Sequence, residues 1–68
     1  MTENENEDAD PTAGVSLLGI EVELWRTQEA GWTQSELAYV MGIDVAMVVA
    51  AERAFLVSRE FEKVFRGK

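Results

Sequence analysis

The chain contains neither cysteine nor histidine. The first absence removes disulfide staples and thiolate metal ligands; the second removes the imidazole that serves as base, acid or ligand in most catalytic constellations. Catalysis is therefore not expected, nor is a bound metal or cofactor. Long apolar runs are missing as well. The longest, Val45 to Ala51, falls far short of the about 20 residues that a bilayer requires, and the first residues are acidic and not basic. These features predict a soluble, cytoplasmic protein with no membrane association. Length is also in short supply. With 68 residues the chain is one small domain whose core is marginal unless a homodimer or another partner adds buried area.

Positive charge is scarce, and the net charge of −7 is unevenly spread. Residues 1–10 hold five acids and no base, whereas residues 11–68 hold eight acids against six bases. The acidity is mostly that of a tail. Residues 1–14 have almost no apolar side chain and the only proline, so they cannot bury enough surface to offset the entropy of ordering. The division predicted is a disordered acidic tail over 1–14 and a folded domain over 15–68. A solubilising leader is the plain role for such a segment. Sharper roles are a phosphate mimic or a repellent of DNA.

What remains is rich in helix punctuation. Thr33 and Glu36 have capping-box spacing, and Trp32 and Leu37 occupy the two positions of a hydrophobic staple. Asp44 repeats the cap, with Ile43 and Val48 as the staple, although Met47 stands where a box partner would be. Gly42 lies between these two starts, where a helix of about two turns needs a residue tolerant of positive φ. A helix-turn-helix follows from these signals.

Two further helices flank it. The first is predicted over Leu17 to Glu29, capped by Ser16 and stopped by Gly31, with Leu17, Ile20 and Leu24 on one stripe and Leu18, Val22 and Trp25 on the next. Together these stripes are wider than one core contact requires, so Trp25 is a candidate for a second interface. The last helix is predicted from Ser58. Phe61, Val64 and Phe65 share its apolar face, and Arg59, Lys63 and Arg66 form the only basic stripe. That stripe reads either as phosphate contacts or as a solvated face in which Glu62 and Arg66 pair at i, i+4. The fold class expected is all-α, a small bundle of about four helices containing the helix-turn-helix.

Residues 31–54 resemble the helix-turn-helix of the phage Cro and repressor (XRE-like) family through Gly31, Thr33-Gln34, Leu37-Ala38, Gly42-Ile43, Val48 and Glu52, with Ala54 where many members have glycine. Arg26 stands one position away from the arginine that the resemblance would place in the first helix. The resemblance implies that the second helix of the motif presents its outward side chains to the major groove. Here those positions are Val45, Ala46, Val49 and Ala50, with Gln34 and Arg53 at the margins. Reading guanine or adenine takes Arg, Lys, Asn or Gln, while Ala and Val offer only contact with a thymine methyl. The frame is that of a DNA reader, but the face is apolar.

Val45, Ala46, Met47, Val49 and Ala50 therefore make a candidate protein interface, with the flexible Met47 suited to irregular pockets. The reading favoured is a transcription-control protein that binds and inhibits a transcriptional regulator, as an antiactivator or antirepressor. An alternative is a dimeric DNA-binding repressor or antitoxin-like regulator, with Gln34, Arg53, Arg59 and Lys63 as the DNA contacts. A third, weaker alternative is an acidic DNA mimic.

Overall fold

The computed structural model describes residues 10–67, which form four helices and, among the described residues, no strand. Helix α1 covers Gly19–Leu24 and runs on as a π-helical turn over Trp25–Ala30; α2 is Gln34–Met41, α3 is Val45–Arg53 and α4 is Arg59–Gly67. This is the all-α helix-turn-helix bundle expected.

The predicted punctuation of α2, α3 and α4 is realised atom by atom. Thr33 Oγ1 accepts from the Glu36 N–H at 3.1 Å, and the Glu36 carboxylate accepts from the Thr33 N–H at 2.7 Å. Asp44 caps α3 through the Ala46 N–H at 2.8 Å, and Ser58 caps α4 through the Phe61 N–H at 3.1 Å. Gly42 has φ +73°, and the N–H groups of Gly42 and Ile43 return to the carbonyls of Tyr39 and Ala38. That pair of bonds is a Schellman motif, which ends α2 and reverses the chain. Between α2 and α3 the chain turns through 114°, within the range of helix-turn-helix units.

The start of α1 differs from expectation. Residues 17–19 are held extended against residues 55–57: the Gly19 N–H donates to Phe55 C=O at 3.0 Å, the Val57 N–H donates to Leu17 C=O at 3.1 Å, and Leu18 pairs with Leu56. The helix accordingly begins at Gly19, and Leu18 is its N-cap. The Glu21 carboxylate accepts the Leu18 N–H at 2.7 Å, while Ser16, the predicted cap, turns instead to Glu62. The predicted stripes also shift. Leu17 and Val22 are buried, but Ile20 and Leu24 are 51% and 45% exposed. Pairing with residues 55–57 fixes how α1 is rotated, and so decides which residues of the two stripes turn inward, a choice that local periodicity left open.

The core is continuous across the elements. Val22 of α1, Leu37, Ala38 and Met41 of α2, Val48 and Ala51 of α3, and Phe61 of α4 enclose it together with Val57. Trp32 and Ile43, the outer halves of the two staples, pack against its edge. Of the segment expected to be disordered, residues 10–14 form a hydrogen-bonded turn in which Asp10 Oδ1 accepts from Thr12 N–H and Oγ1 at 2.9 and 2.8 Å. The Arg59 N–H donates to Pro11 C=O, so this turn is attached to the first residue of α4. Residues 1–9 of the predicted tail lie outside the described residues.

No single helix among the described residues is long and apolar enough to cross a membrane.

Candidate functional site

Helix α3 presents the candidate face. Val48 and Ala51 point into the core as expected, and Val45, Ala46, Ala50 and Arg53 are exposed, Val45 to 38%. Val49 is half-buried. The outward strip is thus narrower than the sequence suggests, with small side chains along most of its length and a cation at its end. Met47 is 42% exposed but lies to one side, lining shallow grooves with Phe61 of α4. It borders the α3 face without sitting at its centre.

Trp25 belongs elsewhere. Its ring meets those of Trp32 and Phe65 edge-to-face, at centroid distances of 5.5 and 5.4 Å. These three rings line a groove of about 440 Å³ with Leu37, Val40 and Arg66, and no residue of α3 contributes to it. The predicted interface residues therefore divide between two surfaces.

The candidate DNA contacts are likewise dispersed. The Gln34 side-chain amide donates to Glu52 Oε1 at 3.0 Å, which holds it against α3 and occupies one of its two donor hydrogens. Arg53 is exposed at the end of α3, whereas Arg59 and Lys63 lie on α4.

Sequence reasoning missed the network that fixes the frame behind this face. Arg26 donates through Nε to Glu52 Oε2 at 2.6 Å, through Nη2 to Glu52 Oε1 at 3.1 Å and through Nη1 to the Trp32 carbonyl at 2.9 Å. One carboxylate thus gathers α1, the start of α2 and the last turn of α3. The hydrogen bond that it donates to Glu52 holds the Arg26 guanidinium protonated even more firmly than usual, against the opposing effect of burial. The π turn makes room for this geometry. Gly31, at φ +69°, returns its N–H to the Arg26 carbonyl five residues back, and Trp32 does so from six back, one residue wider than an α-helical cap. Arg26 is the only base in the sequence before Arg53, and that isolation was the available signal.

In chemical terms the α3 face offers apolar contact with a single cation at one end. No family model matches the chain, and no curated protein or solved structure does so either.

Proposed function

We propose that this protein is a small transcription-control protein that binds and inhibits a transcriptional regulator through the outward face of α3. The observation that carries the reading is the pairing of a rigid helix-turn-helix frame with an exposed strip of Val45, Ala46 and Ala50, which has no side-chain donor before Arg53. Apolar side chains of this kind gain about 25 cal/mol for each Å² withdrawn from water, before the costs of association. Direct base reading gains little from them. The resemblance to the phage Cro and repressor family belongs to this proposal as the origin of the scaffold. So do a cytoplasmic location and action by binding instead of catalysis.

The test is capture of partners from native lysate by the intact chain, with and without nuclease, followed by mass spectrometry. Nuclease-resistant recovery of one transcriptional regulator, lost in Val45→Asp with the helical circular dichroism unchanged, is the expected result. Recovery that is unaffected by Val45→Asp defeats the reading.

The second reading, a dimeric DNA-binding repressor, draws support from the 114° turn between α2 and α3 and from the exposed Arg53. It requires retention of duplex DNA that weakens steeply with salt, as phosphate contacts do. The acidic DNA mimic rests on composition alone. It requires that loss of residues 1–10 weaken binding to a basic partner.

A further inference from the structure

The groove beside Trp25 is walled by rings that hold one another in place. Trp25 meets Trp32 and Phe65 edge-to-face, and Phe65 in turn stacks on the buried Phe61 at 5.9 Å. Trp25 opens the π turn and Arg26 binds the Trp32 carbonyl, so both indoles stand on backbone that the pairing of Arg26 with Glu52 fixes. The walls are preformed. Leu37 and Met41, both buried, make the floor, so the groove reaches down to the core.

The only charged side chain that lines this groove is Arg66, in a protein whose acids outnumber its bases. Three other grooves carry Glu60 beside Lys63, Glu36 alone, or no charge. Arg66 gives its Nε–H to Glu62 at 3.0 Å, and the Glu62 carboxylate is itself held by the Ser16 N–H at 3.4 Å. The two Nη groups of Arg66 donate no hydrogen bond among the described residues. A guanidinium presents its N–H donors in one rigid plane, so the unused Nη edge matches a planar anion such as a carboxylate. Glu62 offsets the long-range attraction, which leaves directional hydrogen bonding as the source of selectivity.

Volume sets the size of the occupant. At about 440 Å³ the groove falls among small-molecule sites of about 300–1,000 Å³, and an apolar cavity of about 150 Å³ already accepts benzene. We propose that the groove of Trp25, Trp32 and Phe65 binds a small aromatic carboxylate, whose ring lies among the three side-chain rings and whose carboxylate accepts from the Nη groups of Arg66. Ring contact supplies most of the affinity. The charge-assisted hydrogen bonds select the anion over a neutral molecule of the same shape. No residue of α3 lines the groove, so the site stands independently of the partner-binding reading of that helix.

Both tryptophans of the chain line the groove, so their fluorescence and their indole N–H resonances report on it directly. The probe is hydrocinnamate, a phenyl ring on a short carboxylate chain, added to the full-length protein, with the neutral hydrocinnamamide for comparison. The expected result is a saturable change in both indole signals with a Kd below about 1 mM, within reach of a ligand of this size. The amide should bind at least about five-fold more weakly. Arg66→Gln should erase that difference, whereas Arg59→Gln, on the same helix but outside the groove, should keep it. Val40→Glu sets a carboxylate at the exposed lip of the groove and should weaken hydrocinnamate at least about five-fold with the helical circular dichroism unchanged. Failure to saturate by about 10 mM overturns the proposal. So does equal binding of acid and amide, a preference for the acid that survives Arg66→Gln, parental affinity in Val40→Glu, or resonance shifts centred on α3 in place of the two indoles.

Discussion

Arg26 and Glu52 form a two-point ion pair, 2.6 Å from Nε to Oε2 and 3.1 Å from Nη2 to Oε1, and only 11% and 5% of their side chains remain exposed. They are separated by 26 residues in sequence yet connect the π turn of α1 to the C-terminal end of α3. The Gln34 amide shares the same carboxylate, so the orientation of α2 against α3 depends on one acid.

Removing that acid leaves a guanidinium withdrawn from water without its counter-charge. Glu52→Ala is expected to destabilise the fold by about 3 kcal/mol, the usual scale for breaking a buried pair from one side. In a domain of this size that lowers Tm by roughly 12 °C or more. Gln34→Ala should cost about 1 kcal/mol, because it removes one hydrogen bond and no charge. The paired replacement Arg26→Met with Glu52→Leu should recover much of the loss, since desolvation then disappears on both sides. Denaturant titration of all three variants decides the matter; equal losses for Glu52→Ala and Gln34→Ala would contradict the pairing.

Gly19 makes a second long-range demand. A β-carbon there would press into the carbonyl oxygens of Ala51 and Ala54, backbone atoms that cannot swing aside. Gly19→Ala is therefore expected to cost about 3 kcal/mol, toward the upper end for an overpacked site. Gly67, at the end of α4, has open space around its Cα. Gly67→Ala should be neutral or stabilising by up to about 1 kcal/mol, as helix propensity dictates. A thermal melt in which the two substitutions behave alike would show that the close approach of α1 to α3 does not exist in solution.

These two relationships mark where sequence reading reached its limit. Thr33, Glu36, Gly42, Asp44 and Ser58 act within a few residues of themselves, so their spacing foretold three helix starts and one turn. Gly19 and Arg26 act across the fold. Nothing near Gly19 announces that the carbonyls of Ala51 and Ala54, at the end of α3 and just beyond it, will sit against it, and Ile20 and Leu24 look as fit for burial as Leu17 and Val22. Only pairing of residues 17–19 with residues 55–57 decides which stripe turns inward. The α3 face was legible in outline because Val48 and Ala51 announce the core side by helical spacing. Its width was not, since the burial of Val49 and the sideways position of Met47 depend on neighbouring elements.

Acid should destabilise the protein through two local contacts. Hydrogen bonds from the Thr12 backbone and side chain hold Asp10 below its ordinary pKa, and the hydrogen bond from Arg66 does the same for Glu62. A depressed folded-state pKa contributes stability above the unfolded value and loses it as pH falls through the folded one. The decline should therefore begin near the ordinary carboxylate range, about pH 4, and continue below it. Between about pH 6 and 8 the stability should be flat, because there is no histidine to titrate. The comparison of Asp10→Asn with Glu62→Gln in melts at neutral and low pH checks the sign: each variant should be less stable than the parent at neutral pH and converge with it in acid. Divergence in acid would reverse the assignment.

Two neighbours in α2 separate burial from exposure without changing helix or chemistry class by much. Leu37 is 2% exposed and packs in the core, whereas Tyr39 is 87% exposed. Leu37→Ala removes buried methyl groups from a closely packed interior, so a loss of about 2–5 kcal/mol is expected, the exact value depending on how far the cavity collapses. Tyr39→Ala removes a larger side chain but little buried area, and should remain within about 0.5 kcal/mol of the parent. Both are read from the denaturation midpoint at constant slope, because a change in slope would signal an altered unfolded state. If Tyr39→Ala destabilises the chain as much as Leu37→Ala, and does so more strongly at higher protein concentration, then Tyr39 is covered by a second copy in solution. Concentration dependence is the distinguishing observable, since an intramolecular contact gives the same midpoint at every dilution.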